Sequence, residues 1–289
     1  MKALLCLLVL SLSLRFFYVD AATLTLKLPD ASIEKDKLIV ELLLLSLEST
    51  GHEIRIEYGT ERLTAARMAE KAANGDLDLF WAGMSPELEN TLLPIRIPIF
   101  KGILGHRIFV IRADQQYRFE NIDNIEALSK LRAGQGRFWG DTEVLQRAGL
   151  NVVTAVKGES LWPMLDGGRF DYFPLAIHEP WHEIEIRPEL PLTVENSILL
   201  VYPFAMYFYV AADNHALHSL ISEAMNWAIE SGAYDRYLYQ HPLFKGGLEQ
   251  AKVTQRRTLR IDNPNMHSET PVNIEKYWLD VTKLDEYGI

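Results

Sequence analysis

One cysteine, Cys6, is all the chain has in 289 residues, which excludes a disulfide framework and a cysteine-ligated zinc finger. An excess of positive charge is also missing. Against 39 Asp+Glu stand 29 Lys+Arg, a formal net charge of −10, so a general nucleic-acid binder, whose phosphate contacts need a basic surface, is excluded. The apolar run 3–14 stops at Arg15, short of the roughly 20 residues that a membrane helix requires. Low-complexity tracts, short-period repeats, a Gly-x-Ser-x-Gly elbow, a phosphate-binding Walker loop and a dinucleotide fingerprint are all lacking, so no cofactor is expected. What remains is a globular composition, 48% hydrophobic and 24% charged, long enough for one large or two medium domains.

The first residues read as an address. Lys2 precedes the apolar run, and the small residues Ala21-Ala22 follow, the layout of a secretory signal peptide over 1–21. An uncleaved anchor is the alternative, because Phe16-Phe17-Tyr18 prolong the apolar character after Arg15. Cleavage removes Cys6 together with Lys2, Arg15 and Asp20. It leaves no thiol, and 27 basic against 38 acidic residues, a net −11. A cysteine nucleophile is thereby excluded, and a periplasmic location is expected.

Beyond the signal, alternation over 23–28 predicts a strand closed by Pro29-Asp30. Residues 37–50 predict a helix apolar nearly all round, stopped by Gly51. A strand at 52–58, a helix at 63–73 and a strand at 77–82 give the order β-α-β-α-β of a largely parallel α/β sheet, whose ligands gather at the carboxyl ends of strands. A long strand at 105–112 leaves this unit. A second unit follows, with a helix from 125, a turn at Gly134-Gln135-Gly136, a helix at 141–148, and strands at 151–156 and 170–173. An aromatic strand at 201–212 returns to the first unit, ahead of a helix at 217–231. The expected organisation is therefore a discontinuous first lobe, 22–110 and 203–242, a second lobe, 111–202, and a tail, 243–289, wrapping over a surface.

Three segments carry the candidate chemistry, since clefts between lobes exclude water and offer backbone donors. Trp81-Ala82-Gly83-Met84-Ser85 ends a strand: Trp81 offers a flat apolar face, Gly83 close backbone approach and Ser85 a hydroxyl, the alternative being a strand end packed in the core. Gly136-Arg137-Phe138-Trp139 leads into a helix, where free N–H groups beside Arg137 suit an anion, while Asp141 or Thr142 alternatively cap that helix. His178-Glu179-Pro180-Trp181-His182 matches the H-E-x-x-H zinc pattern, but Pro180 inside it forces His178 to the helix start or before it, and Glu183-Ile184-Glu185-Ile186 then alternates like a strand. No metal is assigned to it.

The runs Ala73-Asn74-Gly75-Asp76-Leu77-Asp78-Leu79, Leu165-Asp166-Gly167-Gly168-Arg169-Phe170-Asp171-Tyr172-Phe173-Pro174 and Tyr202-Pro203-Phe204-Ala205-Met206-Tyr207-Phe208-Tyr209-Val210 resemble the extracellular solute-binding protein family 3 over about 23–242. The resemblance implies a type II periplasmic binding fold. Two lobes, each a mixed sheet flanked by helices, are joined by two hinge strands, near 110–113 and 208–212, and close on a small polar or amino-acid-like ligand. The ligand positions it implies are Gly83, Met84, Ser85, Gly136, Arg137, Phe138 and Trp139, to which the flat face of Trp81 is added, with Glu179 either meeting a cation or lying solvated. The Thr-x-x-Arg element whose arginine grips an amino-acid carboxylate is replaced here by Pro86-Glu87-Leu88-Glu89-Asn90, with no arginine before Arg96.

The expected function is a monomeric, non-enzymatic exported binding protein. Its partner is the permease of an ABC transporter or, alternatively, a membrane sensor kinase. A periplasmic enzyme, dehydratase-like or a zinc hydrolase using the His178 to His182 segment, is the remaining alternative.

Overall fold

The computed structural model describes residues 23–281 and Leu284; the signal-peptide expectation and Cys6 lie outside the described residues. β1 (Thr23–Leu28) and β2 (Glu53–Tyr58) run parallel, joined by α1 (Glu34–Leu47). Helix α1 starts earlier than its apolar run, with Glu34 and Asp36 in the first turn where the helix dipole favours acids. Leu38, Ile39, Val40, Leu42, Leu43 and Leu47 are buried on several sides, as an all-round apolar helix demands. Thr64 caps α2 (Ala65–Ala73) by accepting from the Arg67 amide, and β3 (Phe80–Gly83) ends at α3 (Pro86–Glu89), which is followed by β4 (Leu92–Ile95).

The chain then crosses to a second set of strands. β5 (His106–Arg112), α4 (Ile125–Leu128), β6 (Arg132–Gly136), α5 (Thr142–Arg147), β7 (Asn151–Ala155), α6 (Leu161–Asp166), β8 (Phe173–Ala176), α7 (Pro180–Glu185), β9 (Leu192–Val194) and β10 (Ile198–Val201) follow in order. It returns through 202–205 to β11 (Met206–Ala211), α8 (His215–Glu230), α9 (Ala233–Gln240) and α10 (Pro242–Ala251), and β12 (Arg257–Arg260) comes last. β11 lies antiparallel between β3 and β4 in the first half. In the second half β5 is flanked by β8, β9 and β10, all antiparallel to it, and β6 pairs with β7 in parallel. A separate apolar cluster of Val110, Leu161, Trp162, Leu165, Phe170 and Phe173 fills one face of this second half.

Four local expectations change. Gly134-Gln135-Gly136 is a strand end instead of a turn, because its glycines let the Phe170 and Trp139 rings lie flat on the backbone where any Cβ would collide. The strand expected at 170–173 begins only at Phe173, since Asp171 is drawn aside to bind Arg118 and the Arg132 amide. Residues 183–185 are helical, Pro180 occupying the first turn where proline is tolerated. The single strand expected over 201–212 is interrupted at 202–205, and this break is one of the two passages between the halves that precede the tail. The other lies between β4 and β5, at 96–105, so both precede the positions implied by the resemblance. Val110 and Phe208 instead stand fully buried inside strands.

The tail does more than cover a surface. β12 extends the second half's sheet by pairing with β10 in parallel, Leu200 opposite Leu259. Asn263 then donates to the Pro203 carbonyl (2.8 Å) on the returning passage, and Asn265 donates to Glu143 on α5 (2.7 Å). Further on, Lys276 pairs with Glu230 of α8 (2.7 Å), and the Leu279 amide donates to Lys101 (2.9 Å) on the other passage. The Trp278 ring lies over Gly102, a residue at φ +72°, where any side chain would meet the ring.

Candidate functional site

The two halves face each other through their strand ends, and at the base they touch. Phe204, on the returning passage, lies against Gly83 at the end of β3, where a Cβ would come within 2.6 Å of its ring. The same ring borders Gly140, in the loop between β6 and α5, and a Cβ on Gly140 would stand 2.5 Å from the Met84 carbonyl oxygen. Gly83 and Met84 of one half thus meet Gly140 of the other with only Phe204 between. Trp81 is buried and donates through Nε1 to Asp36 (2.8 Å); burial raises the Asp36 carboxyl above its ordinary range despite this bond. Ser85 caps α3, accepting from the Leu88 amide (3.4 Å) and donating to Glu87 (2.6 Å), so its hydroxyl is engaged locally.

Behind the contact sits a buried polar triad. Arg107 of β5 donates to Asp141 (2.7 Å), and the Tyr202 hydroxyl donates to the same oxygen (2.7 Å). Burial disfavours the Arg107 cation, but Tyr202 and Asp141 outweigh it and leave its pKa above the ordinary value. Asp141 makes no capping bond to α5; it is this triad that holds it, while the Thr142 hydroxyl donates to the Gly136 carbonyl (2.6 Å). The amides expected to be free at this helix start are partly consumed, Arg137 bonding to Ala155 and Trp139 to Gly136.

The third segment splits. Glu179 accepts from the Ala176 amide (2.8 Å) and faces Lys35 of α1 across the halves at 4.0 Å. Burial alone would raise its pKa; His178, Lys35, Arg107 and the Ala176 amide together hold it below the ordinary range. His178 is fully enclosed, stacked on Phe244 of α10 at 4.5 Å and edge-on to Phe100 at 5.8 Å, and burial pushes it down to about 4, so it is neutral at pH 7. A ring sandwiched in this way is a packing residue. The described residues contain no group of three or more His, Cys, Asp or Glu able to hold a metal ion.

The structure therefore brings Gly83, Met84 and the loop after Gly136 together, engages Trp81 with Asp36 and Ser85 with its own helix turn, and leaves Arg137 and Phe138 exposed. Sequence reasoning missed Gly140, Phe204, Arg107, Tyr202 and Lys35. Gly140 carried a signal, being a third glycine close after Gly134 and Gly136, while a buried Arg–Asp–Tyr triad 34 and 61 residues apart in the chain leaves none. Two open hollows lie elsewhere, about 450 Å³ beside Arg147 and Pro264 and about 380 Å³ beside Trp181 and Lys252.

No protein-family model matches the sequence, nor does any curated protein. Solved structures do. An ancestral arginine-binding protein bound to arginine matches at TM-score 0.55 and 16% identity, over 75% of this chain and 96% of that one. The VFT2 domain of Bordetella pertussis BvgS matches at 0.59 and 16%, over 75% and 92%. The chain has the two-lobed periplasmic-binding-protein fold. A histidine kinase sensor domain with similarity to periplasmic binding proteins matches this two-lobed fold at 0.53 and 17%, over 75% and 94%. In the fold's terms, the two halves are its lobes and 96–105 and 202–205 are the passages between them.

Proposed function

We propose that this chain is an exported solute-binding protein whose lobes close on a small polar ligand, delivered to the permease of an ABC transporter. The observation that carries this is the meeting of Met84, just after β3, and Gly140, in the loop after β6, across the lobes and next to the passages at 96–105 and 202–205. Such a joint lets ligand contacts on both sides bias an open-to-closed equilibrium. The arginine-binding neighbour supports a ligand of amino-acid size. Sensing for a membrane kinase is the second reading, favoured by the BvgS and histidine kinase sensor-domain neighbours.

The test is a native mass spectrum of the protein taken from the exported fraction, set against its denatured mass. A small organic adduct supports the binding reading and gives the ligand's mass; a chelator-removable zinc ion instead supports a hydrolase. Pull-down from membrane extracts then separates the partners, a permease supporting transport and a kinase supporting sensing.

A further inference from the structure

The loop after β6 carries more than a cleft contact. In the parallel pairing of β6 with β7, Gly136 stands opposite Ala155, and the Arg137 amide donates to the Ala155 carbonyl (2.8 Å). The segments leaving both strands therefore run side by side, setting Arg137, Phe138 and Trp139 next to Val156 and Lys157. Trp139 is fixed, lying on Gly136 and parallel to Phe173 at 6.1 Å, with Gly158 beside it. It is nevertheless 40% exposed, Phe138 is 72% exposed and Val156 61%. Three large apolar side chains exposed together on a rim next to the interlobe contact form a patch that asks for an apolar partner.

The unpaired charged side chains next to this patch are basic. Arg137 and Lys157 are both exposed, and neither side chain has a hydrogen bond or ion pair among the described residues, in a chain of net charge −10. The nearby acids are taken: Asp141 by Arg107 and Tyr202, and Glu159 by Arg187 (2.8 Å). Arg96, the first arginine after the Ser85 turn, is likewise taken, by Glu89 (2.7 Å) and Glu269 (3.4 Å). The rim thus offers free cations and flat apolar faces, and no free carboxylate to hold an ammonium group.

Resting on the solute-binding reading, we propose that the ligand is an aromatic carboxylate without an amine, its ring on Phe138 and Trp139 and its carboxylate on Arg137 and Lys157. A guanidinium suits a carboxylate through paired, charge-assisted hydrogen bonds, and aromatic faces stack on a planar ring. An α-amino acid would carry an uncompensated ammonium into a basic patch.

Equilibrium dialysis of the full chain against radiolabelled phenylacetate tests this, with radiolabelled arginine and glutamine dialysed in parallel. Saturable phenylacetate binding is expected. It should weaken at least about tenfold in Arg137→Ala and in Phe138→Ala, both exposed positions, and stay unchanged in Trp227→Leu, an exposed aromatic on α8. Absence of phenylacetate binding, or binding that survives both rim substitutions, overturns the proposal. Arginine or glutamine binding in the same experiment would leave the solute-binding reading standing while the ligand class falls.

Discussion

The carbonyl oxygen of Met84 occupies the place next to Gly140 that a side chain would need, with 2.5 Å between that oxygen and a Cβ built on Gly140. The two residues belong to different halves, so moving the halves apart at this point would break their contact. Glycine is required there for approach, and its backbone freedom is incidental.

Gly140→Ala is accordingly expected to hold the lobes apart without unfolding either. Small-angle scattering should show a larger radius of gyration than the parent, and ligand affinity should fall about tenfold or more as the shut state loses population. Equal radii and equal affinity would show that the lobes need not meet at this point.

The Arg107, Asp141 and Tyr202 triad is buried, and removing its acid strands a guanidinium. Asp141→Ala should cost about 3–5 kcal/mol in chemical denaturation. Tyr202→Phe, which deletes one hydrogen bond and keeps the ring, should cost only about 1–2 kcal/mol. The reverse order would place the stabilising weight on the tyrosine.

Asp171 gives the fold an acid limit. Burial would raise its carboxyl pKa, but the Arg132 amide (2.7 Å), Arg118 (2.7 Å) and the Arg132 side chain outweigh this and lower it below the ordinary 3.8. A group lowered in the folded state stabilises above its unfolded pKa, and that contribution disappears as the pH falls through the folded value. Asp171→Asn should lower stability at pH 7 and flatten the loss of stability below about pH 4, measured by urea denaturation across pH. A variant with the parent's acid slope would assign that slope to other carboxylates.

Gly102 combines a left-handed backbone with the Trp278 ring lying on it. Gly102→Ala should strain the backbone and lift the tail from this passage, at a cost of about 2–4 kcal/mol, and expose Trp278 to quenching by iodide. Unchanged quenching would mean that the ring finds another seat.

Much of the first lobe is legible in the sequence because each element there has its own local signal. Alternation marks β1 and β2, Gly51 ends the short 3-10 turn 48–50 that follows α1, and Thr64 caps α2. The second lobe is harder. Its strand at Gly134-Gln135-Gly136 has the composition of a turn, and only the Phe170 and Trp139 rings, supplied from elsewhere, explain why glycines stand in a strand. Strands β9 and β10 and the tail strand β12 are three or four residues long, too brief for periodicity to show, and they exist through pairing with β5 and β10. In the site, the segments around Gly83 and Gly136 stand out through glycine next to aromatics, whereas Arg107 looks like any charged residue at a strand start until Asp141 and Tyr202 are seen against it.

The tail has a bearing on cooperativity. Because β12 completes the sheet of one lobe and the residues after it are seated on α8 of the other and on Lys101 of the passage between them, the last stretch of the chain belongs to both at once. Neither lobe reaches its full complement of contacts until that stretch is in place, and loosening it takes contacts from both. The molecule should therefore melt in one calorimetric transition, with the calorimetric and van't Hoff enthalpies in agreement, where two lobes joined only by short passages would melt in two.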